Sequence, residues 1–296
     1  MSWQAFTAVV IWGFSFIATK VALRELHPFT LLTLRYGIGA LVLLGVQLSR
    51  DRDFLKRYAR RDWGHLFLLA ATGVSGLGLL QAYGLLHTTA MHTGWIIAIN
   101  PILILILARF FLGEGITFRK VVGIVLGFFG VFLIISKGVF SLDLLRFAST
   151  YGDLLILASA LAWSGFTVAG KGFISRFPPL ATVTTLMLVG CLLVLPPSLL
   201  KGDWGNLFSL SGTTWAGLLF LGIFCSGLGY LLWYAALEKK DSGAVGMYLY
   251  LEPFATLIGA SLYLAEPLEW MTLAGGTLVL GGVALATGTR DRTRKD

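Results

Sequence analysis

The sequence EPFATLIGASLYLAE, residues 252–266, has a counterpart in the first half of the chain, NPILILILARFFLGE, residues 100–114. Each block begins with a polar residue followed by proline, continues as an apolar stretch and ends in a small residue and glutamate. Proline inside a helix removes a backbone donor and displaces the carbonyl four residues earlier. We therefore expect two related helices, each broken at the same depth, although a kink that serves packing alone would give the same pattern. The breaks are Asn100-Pro101 and Glu252-Pro253, and the carbonyls expected to be free are those of Ile97 and Leu249.

Further matches, in the same order along both halves, indicate that the chain is a duplication. The separation between matched positions is nearly constant, which argues against chance, and internal repeats of this length occur in many membrane protein folds. We place the first unit at residues 1–150 and the second at residues 151–296. The matches are WGFSFIATK (12–20) with WSGFTVAGK (163–171), SGLGLLQAYGLL (75–86) with SGLGYLLWYAAL (226–237), and Gly123 and Gly130 with Gly275 and Gly282.

The composition is that of an integral membrane protein. Of the 296 residues, 56% are hydrophobic and 13% are charged, whereas a soluble domain has about 25% charged residues. The charges collect between apolar blocks of about 20 residues, the length that a helix needs to cross the hydrocarbon core. The sequence predicts an all-α membrane fold with ten transmembrane helices, five in each unit. The predicted spans are 3–23, 29–48, 64–86, 93–112, 118–137, 152–174, 180–200, 213–236, 243–264 and 268–288.

An odd number of spans in each unit requires the two units to be inverted repeats. The second unit then enters the membrane from the side opposite to the first. With the N-terminus inside, most of the 23 lysines and arginines fall in cytoplasmic segments, as the positive-inside rule requires. We therefore expect a multi-pass protein with both termini, including the basic tail at 290–296, in the cytoplasm. The basic residues that fall outside are Lys20, Arg24, Lys137, Arg146 and Lys201.

Several classes of function are disfavoured. The net charge of +8 is explained by topology, so we expect no nucleic-acid partner. Cys191 and Cys225 lie in apolar blocks without metal-ligand spacing, which predicts buried thiols and no metal site. Glu252 is a central acid with no histidine or cysteine beside it, so we expect neither an enzyme nor a cofactor. A channel would more naturally use a ring of subunits or a repeated filter, and a scaffold would not need an acid at mid-bilayer.

The block YLYLEPFATLIGASLYLAE (248–266) and the glycine-rich final span LAGGTLVLGGVAL (273–285) resemble the EamA family of the drug/metabolite transporter superfamily. The resemblance covers nearly the whole chain. It implies ten helices in two inverted five-helix repeats, forming a small-metabolite exporter of the bacterial inner membrane. The aromatic content is similar to that of aromatic amino acid exporters in this superfamily. Members share a fold but not one substrate, so the fold alone does not identify the cargo.

The repeats and the breaks favour a carrier separately from this resemblance. Inverted repeats with broken helices at corresponding positions are typical of alternating-access carriers whose site lies near mid-membrane. Polar and aromatic residues at that depth, and those that share a helix face with them, suit a partly wet cavity better than lipid. The expected substrate-binding residues are Trp12, Ser75, Asn100, Trp163, Thr167, Ser226, Tyr230, Trp233, Tyr248 and Glu252.

Glu252 is the sharpest functional hypothesis in the sequence. A charged acid at mid-bilayer costs about 3 kcal/mol on insertion scales, so it should face the bundle interior and mark a substrate or proton path. Burial favours the protonated acid, which would let Glu252 exchange protons near neutral pH. The alternative is a hydrogen-bonded acid that holds its helix in place. Its repeat counterpart is the neutral Asn100, so proton coupling would be one-sided.

The central aromatic residues have two readings. Trp163, with Tyr230, Trp233 and Tyr248, could form a stacking wall for an aromatic side chain or hold an ammonium group by cation-π contact. Helix packing is the alternative for Trp163 and Trp12. Lys20 and Lys171 could act in gating, and the alternative is that their ammonium groups snorkel to the lipid headgroups. The expected gating or vestibule residues are Gln81, Tyr83, Tyr234, Lys20 and Lys171.

The expected cargo follows from these central residues. We expect no lysine or arginine at the central depth, which argues against a phosphorylated substrate. The aromatic residues favour small zwitterionic metabolites, foremost amino acids with large apolar side chains. Another small neutral or cationic metabolite or drug is the alternative. The expected partners are thus a small-molecule substrate, the lipid bilayer and, through Glu252, protons; a monomer would suffice.

Overall fold

Helices account for the regular structure of the first half of the described chain. The computed structural model describes residues 2–112, 117–136, 148–174, 176–239, 245–267 and 269–287. The helices of the first half are α1 (Trp3–Ala22), α2 (Pro28–Arg50), a 3-10 turn (Phe54–Arg57), α3 (Arg60–Ala70), a π-helical segment (Ala71–Gly76), α4 (Leu77–His87), α5 (Ala90–Ile97), α6 (Asn100–Leu112) and α7 (Phe118–Ser136).

The second half follows the same order of elements. It begins with one long helix and also contains a π-helical segment and a broken helix. The elements are α8 (Ala148–Ile174), α9 (Pro179–Lys201), a 3-10 turn (Trp204–Ser209), α10 (Gly212–Leu219), a π-helical segment (Phe220–Gly229), α11 (Tyr230–Lys239), a 3-10 turn (Met247–Leu251), α12 (Glu252–Tyr263) and α13 (Trp270–Thr287).

Short polar residues begin several of these helices. The hydroxyl of Ser2 accepts a hydrogen bond from the amide of Ala5, Thr89 does the same for His92, and Ser211 does so for Thr214. Such caps satisfy amides that have no partner within the helix. Proline begins α2 at Pro28, where its missing amide costs nothing. The connections are therefore specified locally by the sequence.

Among the described residues, seven helical stretches are long and apolar enough to cross a membrane, which makes this a multi-pass membrane protein. They overlap seven of the ten predicted spans. The other three predicted spans overlap α7, the 247–263 segment and α13, which are helical but fall outside those seven. The predicted positions 137, 243–244, 268, 288 and the 290–296 tail lie outside the described residues. The seven stretches are Trp3–Ala22, Pro28–Arg50, Arg60–His87, Ala90–Phe111, Thr150–Lys171, Pro179–Lys201 and Gly212–Lys239.

Two π-helical segments interrupt the long stretches Arg60–His87 and Gly212–Lys239. They lie at the matched SGLG sequences, Ser75–Gly78 and Ser226–Gly229. A π turn changes the hydrogen-bond ladder locally, so backbone carbonyls there become available to side chains, and such turns are frequent at functional sites. The sequence analysis predicted spans at both places, 64–86 and 213–236, and the structure adds that each contains a π-helical segment.

Both proline breaks interrupt helices in the structure. α5 ends at Ile97 and α6 begins at Asn100, while a 3-10 turn ends at Leu251 and α12 begins at Glu252. Each proline therefore lies in the first turn of a helix, where it is tolerated. One detail of the expectation is wrong: the carbonyl of Leu249 accepts a hydrogen bond from the amide of Glu252 and is not free.

The helices pack through close backbone contacts at glycine. α7 lies along α13, and α2 lies along α9. A Cβ atom added at Gly130 on α7 would lie 2.6 Å from the carbonyl oxygen of Gly275 on α13, and one added at Gly275 would lie 2.6 Å from the carbonyl oxygen of Gly130. Glycine is what allows these two helices to approach so closely.

α1 lies at the centre of the bundle. It packs on α12 and on the stretch from α10 to α11, while α8 packs on α6 and on the stretch from the first π-helical segment to α4. A Cβ atom at Gly13 would lie 2.8 Å from the carbonyl oxygen of Glu252. The close crossing brings the middle of α1 directly against the second break.

Candidate functional site

A cavity lies where α1, α2, α4, α8 and the two broken helices converge. It has about 420 Å³ of space not filled by atoms, including the part open to solvent. Most of that volume lies too close to the walls to hold the centre of a water molecule, so the cavity is narrow in this conformation. The lining residues are Trp12, Ser15, Phe16, Arg35, Leu77, Gln81, Ile97, Asn100, Ser159, Ala160, Trp163, Tyr230, Leu249 and Glu252.

Three aromatic rings form one wall of this cavity. The ring centroids of Trp12 and Trp163 are 5.1 Å apart, those of Trp163 and Tyr230 are 5.7 Å apart, and both pairs meet edge to face. Edge-to-face contact is a favourable arrangement for aromatic pairs and leaves part of each ring available to a ligand. The two tryptophans occupy matched positions of the two halves.

The π-helical segments hold this aromatic wall in place. The indole nitrogen of Trp12 donates to the carbonyl of Cys225 at 3.1 Å, and the hydroxyl of Tyr230 donates to the carbonyl of Gly73 at 3.3 Å. Both acceptors lie within π turns. The buried indole nitrogen of Trp163 has no partner among the described residues. One donor of the wall is therefore unused.

Glu252 lies at the first position of α12 and is 5% exposed. Its carboxylate borders the cavity and makes no hydrogen bond or ion pair within the described parts of the chain. Its backbone carbonyl accepts a hydrogen bond from the hydroxyl of Thr256, which also donates to the carbonyl of Gly13. The backbone at this residue is thus anchored to α1 while the acid itself faces the cavity.

Two amides also reach the cavity. Asn100 is 2% exposed, and the hydroxyl of Ser164 lies 3.3 Å from its backbone carbonyl and 3.4 Å from its side-chain oxygen. Gln81, expected in a vestibule, lies on α4 and borders the same cavity. The structure therefore brings together Trp12, Asn100, Trp163, Tyr230, Glu252 and Gln81 among the residues singled out in the sequence.

Arg35 is the main cavity residue that the sequence analysis missed. It lies on α2, is 8% exposed and borders the same cavity as Glu252. Its Nε donates to the hydroxyl of Ser226 at 3.0 Å. The expectation that no arginine reaches the central depth is therefore wrong, and the argument against phosphorylated cargo that rested on it is withdrawn. An ionisable residue inside an apolar span was the available signal.

Five expected substrate-binding residues lie outside the cavity lining, because their side chains are turned toward neighbouring helices. Ser226 supports Arg35, and the hydroxyl of Ser75 donates to the carbonyl of Gly190 on α9. Trp233 is fully buried behind Trp12 and Trp163, and Thr167 is 1% exposed. The hydroxyl of Tyr248 accepts a hydrogen bond from the amide of Ser2 at 2.6 Å. This side chain therefore contacts the beginning of α1 and does not border the cavity.

The expected vestibule tyrosines lie in different settings. The ring of Tyr83 packs against His27 and Phe29 near the connection between α1 and α2. Tyr234 is 1% exposed, packs against Phe166 and borders none of the cavity, which departs from the expectation of a vestibule residue. Packing on α8 turns this side chain inward.

Lys20 takes part in a buried polar junction. Its Nζ lies 3.3 Å from a carboxylate oxygen of Glu266 and donates to the carbonyl of Thr88 at 2.6 Å. The carboxylate of Glu266 also accepts from the amides of Ala90 and Met91, the first residues of α5, at 2.9 Å each. An acid at a helix N-terminus is favoured by the exposed amides and the helix dipole. Lys171, its repeat counterpart, lies half-buried in the last turn of α8.

A second part of this junction surrounds His92. Its two ring nitrogens lie 3.3 Å from a carboxylate oxygen of Asp153 and 3.4 Å from one of Glu269. Asp153 also accepts from the hydroxyl of Thr88. The sequence analysis assigned no role to His92, because these partners come from distant parts of the chain. The junction connects α1, α5, α8 and the segment before α13.

Apolar helices around a cavity that holds buried charged and aromatic groups form the architecture of a membrane transport protein. The model of the EamA-like transporter family matches residues 2–136 and again residues 150–288. The chain belongs to the EamA-like transporter family, a branch of the drug/metabolite transporter superfamily, and is a multi-pass membrane transporter.

Several named proteins are similar over nearly their whole length. An uncharacterised transporter of Archaeoglobus fulgidus is 32% identical over 95% of this chain and 96% of its own length. YyaM of Bacillus subtilis, also an uncharacterised transporter, is 28% identical over 93% of this chain and 90% of its own. A probable terminal-alkyne amino-acid exporter of Streptantibioticus cattleyicolor is 27% identical over 96% and 92%. One crystal structure has the same fold, with a TM-score of 0.72 over 99% of this chain and 98% of that one at 23% identity.

Proposed function

We propose that this transporter is a secondary active, alternating-access exporter of small metabolites, foremost amino acids that include aromatic ones. It would work in the bacterial inner membrane with both termini in the cytoplasm. The observation that carries the proposal is a cavity that combines an aromatic wall with Glu252, Asn100 and Gln81 where two related broken helices meet. A carrier needs one site that both membrane faces can reach in turn, and repeat interfaces supply it in many carriers.

Two inverted five-helix halves are supported by the pattern of helix neighbours. α7 packs on α13 and α2 on α9, and in the sequence analysis these are pairs of matched spans. Gly130 meets Gly275, and a Cβ at Gly282 would lie 2.5 Å from the carbonyl oxygen of Gly123. Gly123 matches Gly275 and Gly130 matches Gly282 in the two halves. Replacing each glycine by its match therefore turns the contact Gly130–Gly275 into the contact Gly282–Gly123. This is what a two-fold relation between antiparallel helices produces.

The family model supports the same division. It matches the chain twice, and the two matches correspond to the units proposed at residues 1–150 and 151–296. α1 and α8, matched spans of the two units, face each other through Trp12 and Trp163. A site between two inverted halves can be exposed to either side of the membrane by rocking one half against the other.

Amino acids are the cargo class that the cavity favours. Aromatic faces suit a large apolar side chain, and amide and acid groups suit its polar end. One similar protein is named as a probable terminal-alkyne amino-acid exporter, a name that refers to cargo of this class. The alternative, a small neutral or cationic metabolite or drug, is favoured by the same aromatic wall, because aromatic faces also hold cations.

A counterflow assay in liposomes tests this function. Purified protein should exchange internal phenylalanine for external labelled phenylalanine with saturation, and other amino acids should compete. Non-saturating flux would indicate a channel, and no flux of any amino acid would overturn the assignment of cargo.

Trp163→Ala should weaken phenylalanine exchange at least fivefold more than alanine exchange, because a stacking partner is lost. The matched control is Trp270→Ala, since Trp270 is exposed at the beginning of α13. Equal losses for the two cargoes would assign Trp163 to packing alone.

A further inference from the structure

We infer that Arg35 and Glu252 bind the two ends of a zwitterion, Arg35 the carboxylate and Glu252 the ammonium group. The inference rests on the proposed function and narrows it to cargo that carries both charges on neighbouring atoms. It concerns an arginine that none of the sequence reasoning assigned to the site. The two residues come from α2 and α12, which belong to different halves of the chain.

The guanidinium of Arg35 is only partly used by the protein. Nε donates to Ser226, which fixes the side chain against the second π-helical segment. The two terminal nitrogens make no hydrogen bond or ion pair within the described parts of the chain. Since these two nitrogens have no partner among the described residues and are not fully enclosed by protein atoms, there is open space beside them. Two parallel donors bordering a cavity are suited to bidentate binding of a carboxylate.

Glu252 supplies the opposite charge on the same cavity. Arg35 and Glu252 do not form an ion pair with each other, although one cavity borders both. Buried charges in proteins are normally paired, because removing an unpaired charge from water is costly. An arginine and an acid that border one small cavity, each with side-chain polar atoms unpaired among the described residues, therefore indicate a ligand that pairs with both. The ammonium group of that ligand would stabilise the ionised form of Glu252.

This charge arrangement distinguishes among the cargo classes. A zwitterion would neutralise both groups when it enters and displaces water. A neutral metabolite would leave Arg35 desolvated and unpaired, and a cationic drug would also be repelled by it. The aromatic wall of Trp12, Trp163 and Tyr230 borders the same cavity as Arg35 and Glu252 and would contact the side chain of the amino acid.

Binding of three related compounds to the purified protein tests the inference. Phenylalanine carries both charges, phenylalaninamide lacks the negative charge, and phenethylamine lacks the carboxyl group entirely. Wild-type protein should bind phenylalanine at least tenfold more tightly than the other two. Arg35→Gln should remove most of this preference by weakening phenylalanine, with little change for phenethylamine.

Two further variants keep the test decisive. Arg35→Lys retains the positive charge without the paired guanidinium donors and should keep part of the preference for phenylalanine. It also replaces Arg35→Gln in the test if that variant does not fold. Arg24→Gln removes the same charge from an exposed residue in the connection after α1 and should bind like wild type.

The outcomes separate this inference from the proposed function. Equal wild-type affinity for all three compounds, or an Arg35→Gln protein that keeps the full preference, would overturn the role of Arg35 while leaving amino acid transport intact. Failure of the wild-type protein to bind or exchange any amino acid would instead overturn the proposed function, and this inference with it.

Discussion

Two ionisable residues in the centre of the bundle have polar side-chain atoms that the described part of the protein leaves unpaired. Glu252 and Arg35 each border the cavity with polar atoms that have no protein partner among the described residues. In contrast, two neighbouring aromatic side chains are held by hydrogen bonds: Trp12 and Tyr230 donate to backbone carbonyls in the π-helical segments. Partnered residues shape the cavity, and the unpartnered ones are free to interact with what enters it.

At the residue scale we predict that Glu252→Gln abolishes the dependence of transport on pH and lowers the exchange rate at least tenfold. Glutamine has nearly the same shape but cannot take up or release a proton. Since the carboxylate has no protein partner to lose, the variant should remain folded and phenylalanine binding should remain measurable. Proton-gradient-driven uptake between pH 6 and pH 8 is the measurement.

The control for this variant is Glu238→Gln, which makes the same change at an exposed residue near the end of α11. It should transport with the wild-type pH profile. An unchanged profile in Glu252→Gln would show that the acid has no proton role and would leave it as an ammonium-binding or helix-positioning group.

Elements pack in this protein largely through glycine, because lipid offers no hydrophobic driving force for helix association and close backbone contact must supply it. The contact between α7 and α13 is the clearest case. A Cβ at Gly130 would meet the carbonyl oxygen of Gly275 at 2.6 Å and the amide nitrogen of Val279 at 2.8 Å. These are backbone atoms, so the two helices would have to separate to accept a side chain.

At the element scale we therefore predict that Gly130→Ala destabilises the protein by about 1 kcal/mol or more through overpacking. Alanine otherwise favours a helix by roughly 0.5–1 kcal/mol over glycine. Gly281→Ala is the matched control, because a Cβ at this position on α13 would meet no atom within 4 Å. Thermal unfolding in detergent should show a lower midpoint for the first variant only, and equal midpoints would mean that this contact is not limiting.

The whole molecule is proposed to be two halves threaded in opposite directions. Positive charge in the segment 50–62 contrasts with the matching segment around 201–212, where Lys201 is the single lysine or arginine. In an inverted duplication the two segments lie on opposite sides of the membrane, and the positive-inside rule acts on only one of them. The polar junction around Lys20, Glu266 and His92 would lie on the outer side in this orientation.

At the whole-molecule scale we predict opposite accessibility for two exposed residues in these segments. Phe208→Cys should react with a membrane-impermeant maleimide in intact cells, whereas Lys56→Cys should react only after the membrane is opened. Both side chains are exposed in short 3-10 turns between helices, so they are matched in setting. Both variants would be made in a chain lacking Cys191 and Cys225. Labelling of both from outside, or the reverse pattern, would contradict the proposed orientation.

Much of the helical framework could be predicted from the sequence, because its signals are local. Apolar blocks of sufficient length between charged clusters predicted ten spans, and each of these spans overlaps a helical segment. The family was also predicted, from the resemblance of residues 248–266 and 273–285 to its members, and the family model confirms it. The π-helical segments were missed, since a π turn differs from an α turn by one residue in the hydrogen-bond ladder and has no distinct apolar period.

The candidate site could be predicted only in part. Depth along a helix follows from counting residues, and on that basis Trp12, Trp163, Asn100, Tyr230 and Glu252 were singled out and do border one cavity. Rotation of a helix about its axis depends on its neighbours. Tyr248 and Trp233 have suitable depths and composition but face other helices.

The sequence by itself determined that this is a membrane protein of apolar helices with two proline breaks, and it predicted two related halves. Those properties depend on composition and repetition, which are present before the chain folds, whereas the family followed from resemblance to known transporters. Only the tertiary structure decided that Arg35 and Glu252, more than two hundred residues apart, share a cavity, and that Glu266 meets the beginning of α5. Such contacts depend on how neighbouring helices are rotated and spaced, which close packing at glycines sets for the bundle as a whole.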